Sequence, residues 1–294
     1  NTAGYALTSG ASNVLIGNNA GREITNNSSN IAIGHGALDA ANDAENSNIA
    51  IGVDALGSET TGADGCVAIG HLALEDQNRA ASANTAVGYT ALRNLGSGVT
   101  YGGVNNTAVG YSAGGSGVFG GGSDGNGNNN TLVGFQAGLA ITTGTDNVAI
   151  GSSAGQALLG GSSNVFIGSD AGSTQNAGGN NIAIGYHALD AANGVNTHTI
   201  AIGTNAMGAD TNNSDYCVAI GSSALAAMNA DVKNTAIGGK AGAELAGGSN
   251  NTLVGYNAGN QLDGNENNNT FVGHDAGSNA DGAEDNTFIG SFAG

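Results

Sequence analysis

Few side chains in this sequence could bind a ligand or take part in a reaction, and those that could recur at fixed places in a repeat. Aromatic rings come directly after a glycine, as in Tyr89, Tyr111 and Phe135. Rings in such a column stack on sugar faces or on one another. Acidic residues gather in loops such as 263–266 and 281–285, and carboxylate oxygens are the ligands that Ca²⁺ prefers. The chemistry open to these side chains is therefore glycan contact or calcium binding.

Catalytic and thiol chemistry have less support. Five histidines are scattered through the chain, and no serine–histidine–aspartate set, carboxylate pair, phosphate-binding loop or zinc spacing emerges. The acidic loops also lack the spacing of an EF-hand. Cys66 and Cys217 lie about eight repeats apart, roughly 38 Å at the spacing of stacked strands, so one chain cannot bridge them. We predict that the protein is not an enzyme and has no cofactor, with Ca²⁺ as the remaining candidate.

The elements that position these side chains are coils built on one phrase, Asn-[Val/Ile/Thr]-[Ala/Leu/Phe]-[Ile/Val]-Gly-x-x-Ala-[Leu/Gly], which returns sixteen times. We number its positions one to nine. The glycines at position five are 17 or 18 residues apart, except for gaps of 22 and 24 around Gly110. A short fixed period is typical of stacked units rather than of one globular core. The sequence predicts an all-β fold, a parallel β-solenoid or β-roll of about sixteen coils of 17–18 residues.

Each coil has a predicted internal order. A short β-branched strand of about five residues runs from the asparagine to the glycine, which can take a positive φ and turn the chain. The alanine at position eight begins a second extended piece, and a polar loop leads to the next asparagine. Asparagine occupies position one in most coils, including Asn13, Asn30, Asn48, Asn84 and Asn147. We predict that these amides form a structural ladder between coils.

Positions three and nine vary together in volume. Where position three is bulky, as in Phe166, position nine is glycine, as in Gly172. Where position nine is leucine, as in Leu38, position three is alanine, as in Ala32. Two positions that share one close-packed volume behave in this way. The two positions are therefore predicted to meet inside the coil.

Positions two and four then point outward, because side chains alternate along a strand. They form a stripe of valine, isoleucine and threonine, which is larger than the apolar patches that soluble monomers usually expose. We predict that identical chains cover it, as a homotrimeric rod. The predicted interface residues are Ile31, Ile33, Ile49, Ile51, Val67, Ile69, Val87 and Val109.

Composition and charge exclude several classes of protein. The chain has 54 glycines, no proline and only 10% charged residues, unlike an ordinary globular enzyme. The strict placement of isoleucine and valine excludes a disordered chain. A net charge of −18 repels nucleic acid and anionic lipid. No apolar run approaches the roughly 20 residues that span a bilayer. We expect no nucleic-acid partner and no membrane insertion by this segment.

The whole chain, residues 1–294, is predicted to be one solenoid domain with an internal duplication. The run from Cys66 to Gly70 recurs from Cys217 to Gly221, 151 residues later. A block of eight coils was therefore copied, with the two copies at roughly 13–163 and 164–294.

The phrases at 84–92 and 147–151 resemble the repeats of two related groups of proteins. One is the head domain of trimeric autotransporter adhesins, which builds a trimeric parallel β-roll. The other is the Asn-Thr-Ala-Val-Gly-Tyr repeat arrays of phage tail-fibre-like and large bacterial surface proteins. The resemblance covers nearly the whole chain. It implies a trimeric, fibrous protein outside the cell, on a cell surface or a virion, that attaches to cells or matrix.

The function predicted from the sequence is a structural segment of an extracellular fibre or adhesin. Two alternatives stay open. One is a glycan-binding module that contacts sugar through Tyr89, Tyr111 and Phe135 and the polar loops. The other is a subunit that joins end to end into a filament. The expected partners are further copies of this chain and a cell-surface glycan or matrix.

Overall fold

The structure, a computed structural model, describes residues 2–40, 45–58, 63–77, 82–95, 103–116, 127–190, 195–209, 214–229, 232–264 and 266–294. Within these residues the regular elements are sixteen parallel β-strands, one for each repeat. The predicted all-β parallel solenoid is therefore confirmed. Among the described residues, no helix is long and apolar enough to cross a membrane.

The chain divides into two compact units. The first contains Asn1–Ile150 together with Leu158–Gly160. Its strands are β1 (Val14–Ile16), β2 (Ile31–Ile33), β3 (Ile49–Ile51), β4 (Val67–Ile69), β5 (Thr85–Val87), β6 (Thr107–Val109), β7 (Thr131–Val133) and β8 (Val148–Ile150). Each strand pairs in parallel with the next one along the chain, in strict register.

The second unit contains Gly151–Ala157 and Gly161–Gly294. Its strands are β9 (Val165–Ile167), β10 (Ile182–Ile184), β11 (Ile200–Ile202), β12 (Val218–Ile220), β13 (Thr235–Ile237), β14 (Thr252–Val254), β15 (Thr270–Val272) and β16 (Thr287–Ile289). Here too the sheet order is the chain order, and all pairs are parallel and in register.

Each strand has three residues, fewer than the five predicted. In β2–β15 the middle residue, at position three, is buried, and in the terminal strands β1 and β16 it is half-buried. The flanking residues at positions two and four are half-buried or exposed in every strand, as the alternation predicted. The strand ends where the position-five glycine adopts a φ of 132–141°. That conformation leaves the β region of the backbone, so the glycine is the corner of the coil.

The predicted second extended piece after this corner is wrong. The residues on both sides of the position-eight alanine are left-handed, as at Asp54 (φ 51°) and Leu56 (φ 52°). The segment is a turn that still bonds to both neighbouring coils, since the Asp54 N–H donates to His35 O at 2.9 Å and the Leu56 N–H donates to Ala73 O at 3.0 Å. Residue type did not reveal this conformation, because leucine and aspartate seldom adopt it.

The shared volume of positions three and nine is confirmed. A Cβ added to Gly172 would lie 2.8 Å from the Phe166 ring, and one added to Gly21 would lie 2.8 Å from Leu15 Cδ2. Both distances are shorter than van der Waals contact, so the glycine is the space that the large residue fills.

A third core position, the twelfth residue counted from position one, escaped the sequence analysis. Its described side chains are fully buried in nine coils. They are Ile24, Gln77, Leu95, Ile141, Leu158, Gln175, Met228, Leu245 and Leu262. The two glutamines differ in their surroundings: the Gln77 amide nitrogen lies 3.4 Å from Cys66 Sγ, whereas both polar atoms of the Gln175 side chain are buried without a hydrogen bond.

Replacing Gln175 with leucine is expected to stabilise the protein by about 1–2 kcal/mol, because a buried amide without partners costs about that much. Leucine already fills this position in other coils, as Leu158 and Leu245. Thermal and urea unfolding would measure the change. Gln77→Leu is the matched control and should gain less, since it loses the contact with Cys66. A less stable Gln175→Leu protein would show that the amide contributes to the core.

Candidate functional site

The strand face of each unit is the surface formed by its outward residues at positions two and four. The predicted interface residues lie on this face in the first unit, from Ile31 in β2 to Val109 in β6. Most of them are half-buried, and Ile69 and Val109 are each 37% exposed. The structure thus brings all eight predicted residues together. In the second unit the equivalent residues of β9–β16 form a face of the same kind.

The strand face carries no charge in a strongly acidic chain. The outward residues of all sixteen strands are isoleucine, valine or threonine, although the chain has a net charge of −18. Among the described residues, the charged side chains belong to the segments outside the strands. The face is therefore an uncharged β-branched surface bordered by acidic loops.

The five asparagines predicted as a ladder bridge successive coils. Asn30 Oδ1 accepts the Asn48 N–H at 2.9 Å, and Asn30 Nδ2 donates to Glu45 O at 2.9 Å. The same two kinds of bond are made by Asn13, Asn48 and Asn84. Asn147 donates its N–H and its Nδ2 to Asn130 Oδ1, each at 3.0 Å. These amides satisfy backbone groups that would otherwise be buried without partners.

A second polar ladder runs beside the first in the opposite direction, and the sequence analysis missed it. The Ser28 N–H donates to Asn46 Oδ1 at 2.8 Å, and the Asn46 N–H donates to Asp64 Oδ1 at 2.7 Å. The position lies two residues before position one. It mixes asparagine, aspartate and serine, so no single residue type marks it. The shared ability of these side chains to accept a hydrogen bond was the available signal.

The aromatic column predicted as a glycan edge is a continuous stack of rings. His71, Tyr89, Tyr111 and Phe135 lie with ring centroids 5.1–5.4 Å apart and planes within 17° of parallel. Tyr89 and Tyr111 each lie between two rings, so their faces are covered and their edges account for exposures of 46% and 49%. Sugars stack on ring faces rather than on edges. This geometry favours ring-on-ring packing, and glycan contact stays a prediction.

The acidic loops bring three carboxylates together. One oxygen atom from each of Asp263, Glu266 and Asp281 lies within 4.8 Å of the others. Glu266 is buried, and its carboxylate accepts the N–H groups of Gly264 and Gly282, each at 3.0 Å. Backbone donors of two successive coils therefore hold this side chain in place. Calcium binding stays a prediction for these loops.

Both cysteine side chains are buried. Each replaces asparagine at position one, and the Cys66 N–H keeps the ladder bond to Asn48 Oδ1 at 2.8 Å. Cys66 therefore continues the backbone pattern of its coil while its thiol contributes buried volume.

A histidine–carboxylate cluster in the second unit also escaped the sequence analysis. His187 Nδ1 pairs with Asp190, and His187 Nε2 lies 4.0 Å from Asp170. The hydroxyls of Ser169 and Ser173 bond to Asp170 and Asp190, respectively, rather than to the imidazole. The cluster therefore does not hold a serine against the histidine, the arrangement that activates a serine nucleophile. The 17-residue offset of Asp170 and His187, one coil period, was the signal for their contact.

Two arginines connect neighbouring coils through surface ion pairs. Arg22 Nε lies 3.2 Å from Asp39 Oδ1, and Arg93 Nε lies 2.6 Å from Glu75 Oε2. Burial raises the pKa of Asp39 above its ordinary value, and the charge of Arg22 opposes that rise. Partly exposed pairs of this kind contribute little to stability.

Comparisons with known protein families, curated proteins and solved structures gave no match to this chain. The repeat fold itself is shown by the structure. The resemblance to trimeric autotransporter heads and to the tail-fibre-like repeat arrays rests on the sequence phrases and stays a prediction.

Proposed function

We propose that this chain is a structural segment of an extracellular fibre or adhesin, on a cell surface or a virion, whose copies associate through their strand faces. The observation that carries the proposal is the uncharged β-branched face in a chain with a net charge of −18. The chain repels most polyanions, yet each unit has two aligned columns of uncharged β-branched side chains, of which the position-four column is isoleucine or valine throughout. Identical faces are complementary in chemistry, because neither presents a charge to the other.

The repeat architecture supports a structural role. In a solenoid each coil contacts its two neighbours, so stability accumulates along the stack rather than around a central core. The two polar ladders and the ring column all run in this direction. Stability that accumulates from coil to coil suits a structural segment, because further coils can be added without changing the packing of the others.

The size of the strand face agrees with self-association. Eight strands about 4.8 Å apart, each with three residues about 3.3 Å apart, give each unit a face of about 380 Å². The two faces of one copy together approach the roughly 800 Å² per partner that a stable interface buries. A closed ring of copies, with a trimer as the specific proposal, would cover the face on every copy.

The glycan-binding alternative has weaker support. Its predicted contact residues Tyr89 and Tyr111 use their ring faces to stack on neighbouring rings. A sugar would have to bind the ring edges, the polar loops or the one face of Phe135 that does not stack on Tyr111. The end-to-end filament is compatible with strand-face association, since the two use different surfaces.

The proposal predicts that the wild-type protein exceeds its chain mass of 28.2 kDa in solution and that Ile33→Asp reduces it to that mass. An aspartate on the strand face would be buried without a partner between copies, at a cost of about 3 kcal/mol or more. Light scattering coupled to gel filtration, at micromolar concentration and physiological salt, would measure both masses.

Val53→Asp is the matched control for this experiment. Val53 is exposed and lies one coil further on, beside the strand face rather than on it, so the same added charge should leave the mass unchanged. A wild-type protein that stays at 28.2 kDa, or a Val53→Asp protein that dissociates equally, would contradict the proposed interface.

A further inference from the structure

We infer that the apolar contact between copies is concentrated in two groups of four strands, β1–β4 and β9–β12, while the threonine-bearing strands form the hydrated part of the same interface. We call these groups the first and second aliphatic quartets. This inference rests on the proposed function, because it assigns the contact within the proposed interface. The partner is a second copy of this chain.

The two quartets carry the same outward residues. Counting 151 residues on from each outward residue of the first quartet gives the same residue type in the second. The pairs are Val14 and Val165, Ile16 and Ile167, Ile31 and Ile182, Ile33 and Ile184, Ile49 and Ile200, Ile51 and Ile202, Val67 and Val218, and Ile69 and Ile220. Even the choice between valine and isoleucine is kept at all eight places. If these side chains contacted only water, valine and isoleucine would be interchangeable at these places.

The neighbouring columns of the same coils behave differently. At positions six and seven, which follow the corner glycine, all eight corresponding pairs differ. They are Asn18 and Ser169, Asn19 and Asp170, His35 and Tyr186, Gly36 and His187, Val53 and Thr204, Asp54 and Asn205, His71 and Ser222, and Leu72 and Ser223. In these coils the two units therefore differ at positions six and seven and agree at the outward positions of the quartets. The size and shape of the side chains are therefore constrained on the quartets and are not constrained at positions six and seven.

Seven of the remaining eight strands have a more polar outward surface, whereas β8, with Val148 and Ile150, is as aliphatic as the quartets. Position two is threonine in β5–β7 and β13–β16, and a hydroxyl removed from water without a partner costs free energy. A row of exposed polar side chains borders part of these strands, in which Asn105 Nδ2 donates to Asn129 Oδ1 at 3.2 Å and Asn129 Nδ2 donates to Asp146 Oδ1 at 3.0 Å. Threonine and this amide row both favour water over an apolar partner.

Strand propensity is the competing explanation for the quartets, because isoleucine, valine and threonine all favour strands. It predicts that threonine is as good as isoleucine in the quartets. A contact between copies predicts that it is worse, because a hydroxyl replaces apolar surface at a site that loses water on association. Isoleucine-to-threonine changes therefore separate the two explanations.

The test compares two double variants of the full chain, both at position four of the second unit. Ile184→Thr with Ile202→Thr changes the quartet, and Ile237→Thr with Ile289→Thr makes the same change in the threonine-bearing strands β13 and β16. Sedimentation equilibrium over a range of concentrations gives each association constant. We expect the quartet variant to weaken association at least about tenfold and the control variant by less than about threefold, since a few apolar anchors dominate an interface.

A third variant keeps the test valid if a threonine in the quartet unfolds the protein, which far-UV circular dichroism at low concentration would detect. Thr252→Val with Thr270→Val removes hydroxyls from the threonine strands, and association should change by less than about threefold if those strands stay hydrated. A tenfold gain would overturn the inference, as would equal weakening by both threonine variants. A wild-type protein that never associates would instead contradict the proposed function itself.

Discussion

Replacing Gly88 with alanine is expected to cost about 4 kcal/mol of folding free energy, from about 1–3 for backbone strain and about 1–3 for overpacking. Gly88 has a φ of 141°, and an added Cβ would lie 2.7 Å from the carbonyl carbon of Gly110 and nearer still to its oxygen. Neither atom can move away, because both belong to the corner of the next coil. Urea unfolding would measure the loss.

Gly65→Ala is the matched control for backbone strain alone. Gly65 also has a positive φ, 66°, but an added Cβ there meets nothing within 4 Å. The equivalent residue one coil later is Ala83, with a φ of 57°. The control should therefore cost about 1 kcal/mol. If Gly88→Ala cost no more than Gly65→Ala, the close approach of successive corners would not be what requires glycine.

The strands and the inward direction of position three could be predicted because each follows from a local pattern that repeats sixteen times. The shared volume of positions three and nine was predictable for the same reason, as the pairing of Leu15 with Gly21 shows. In each case one short window contains both the cause and the consequence. A repeat also gives many independent observations of the same environment.

The remaining features were hidden because different residue types meet the same physical requirement. Position seven is left-handed with side chains as different as Asp54, Leu72 and Thr90, since backbone bonds to the neighbouring coils impose the conformation. Position twelve holds Gln77 as well as Leu95, so its burial does not follow from residue type. The ring column was visible as a spacing, but its function depends on whether the faces or the edges are free, which only the coordinates distinguish.

The occupant of the strand face could not be predicted from the sequence for a different reason. The outward direction of Ile31 and Ile33 followed from strand alternation, yet the occupant of a surface is a property of two molecules and not of one sequence. The charge-free face and the agreement of the two quartets support the proposal that a copy of the same chain covers this surface. Identical faces without charge bring no like charges together.

Replacing Phe166 with alanine is expected to cost about 3–5 kcal/mol, because it empties most of one coil interior. Gly172→Leu alone should cost about 1–3 kcal/mol, since its Cβ would overlap the ring. The double variant should be less destabilised than the sum of the two by about 2 kcal/mol, which is a typical coupling between residues in contact. The next coil already has this arrangement, with Ala183 and a left-handed Leu189 at a φ of 53°.

Urea unfolding of all four proteins completes the cycle. Phe166→Ala combined with Leu253→Ala is the control, because β9 and β14 are separated by four strands and distant sites add. Additive costs for Phe166 and Gly172 would mean that the ring and the glycine do not share one volume. Coupling between Phe166 and Gly172, together with additivity in the control, would establish that the interior of each coil packs within that coil. Positions three and nine could then exchange volume while the outward residues at positions two and four stay unchanged.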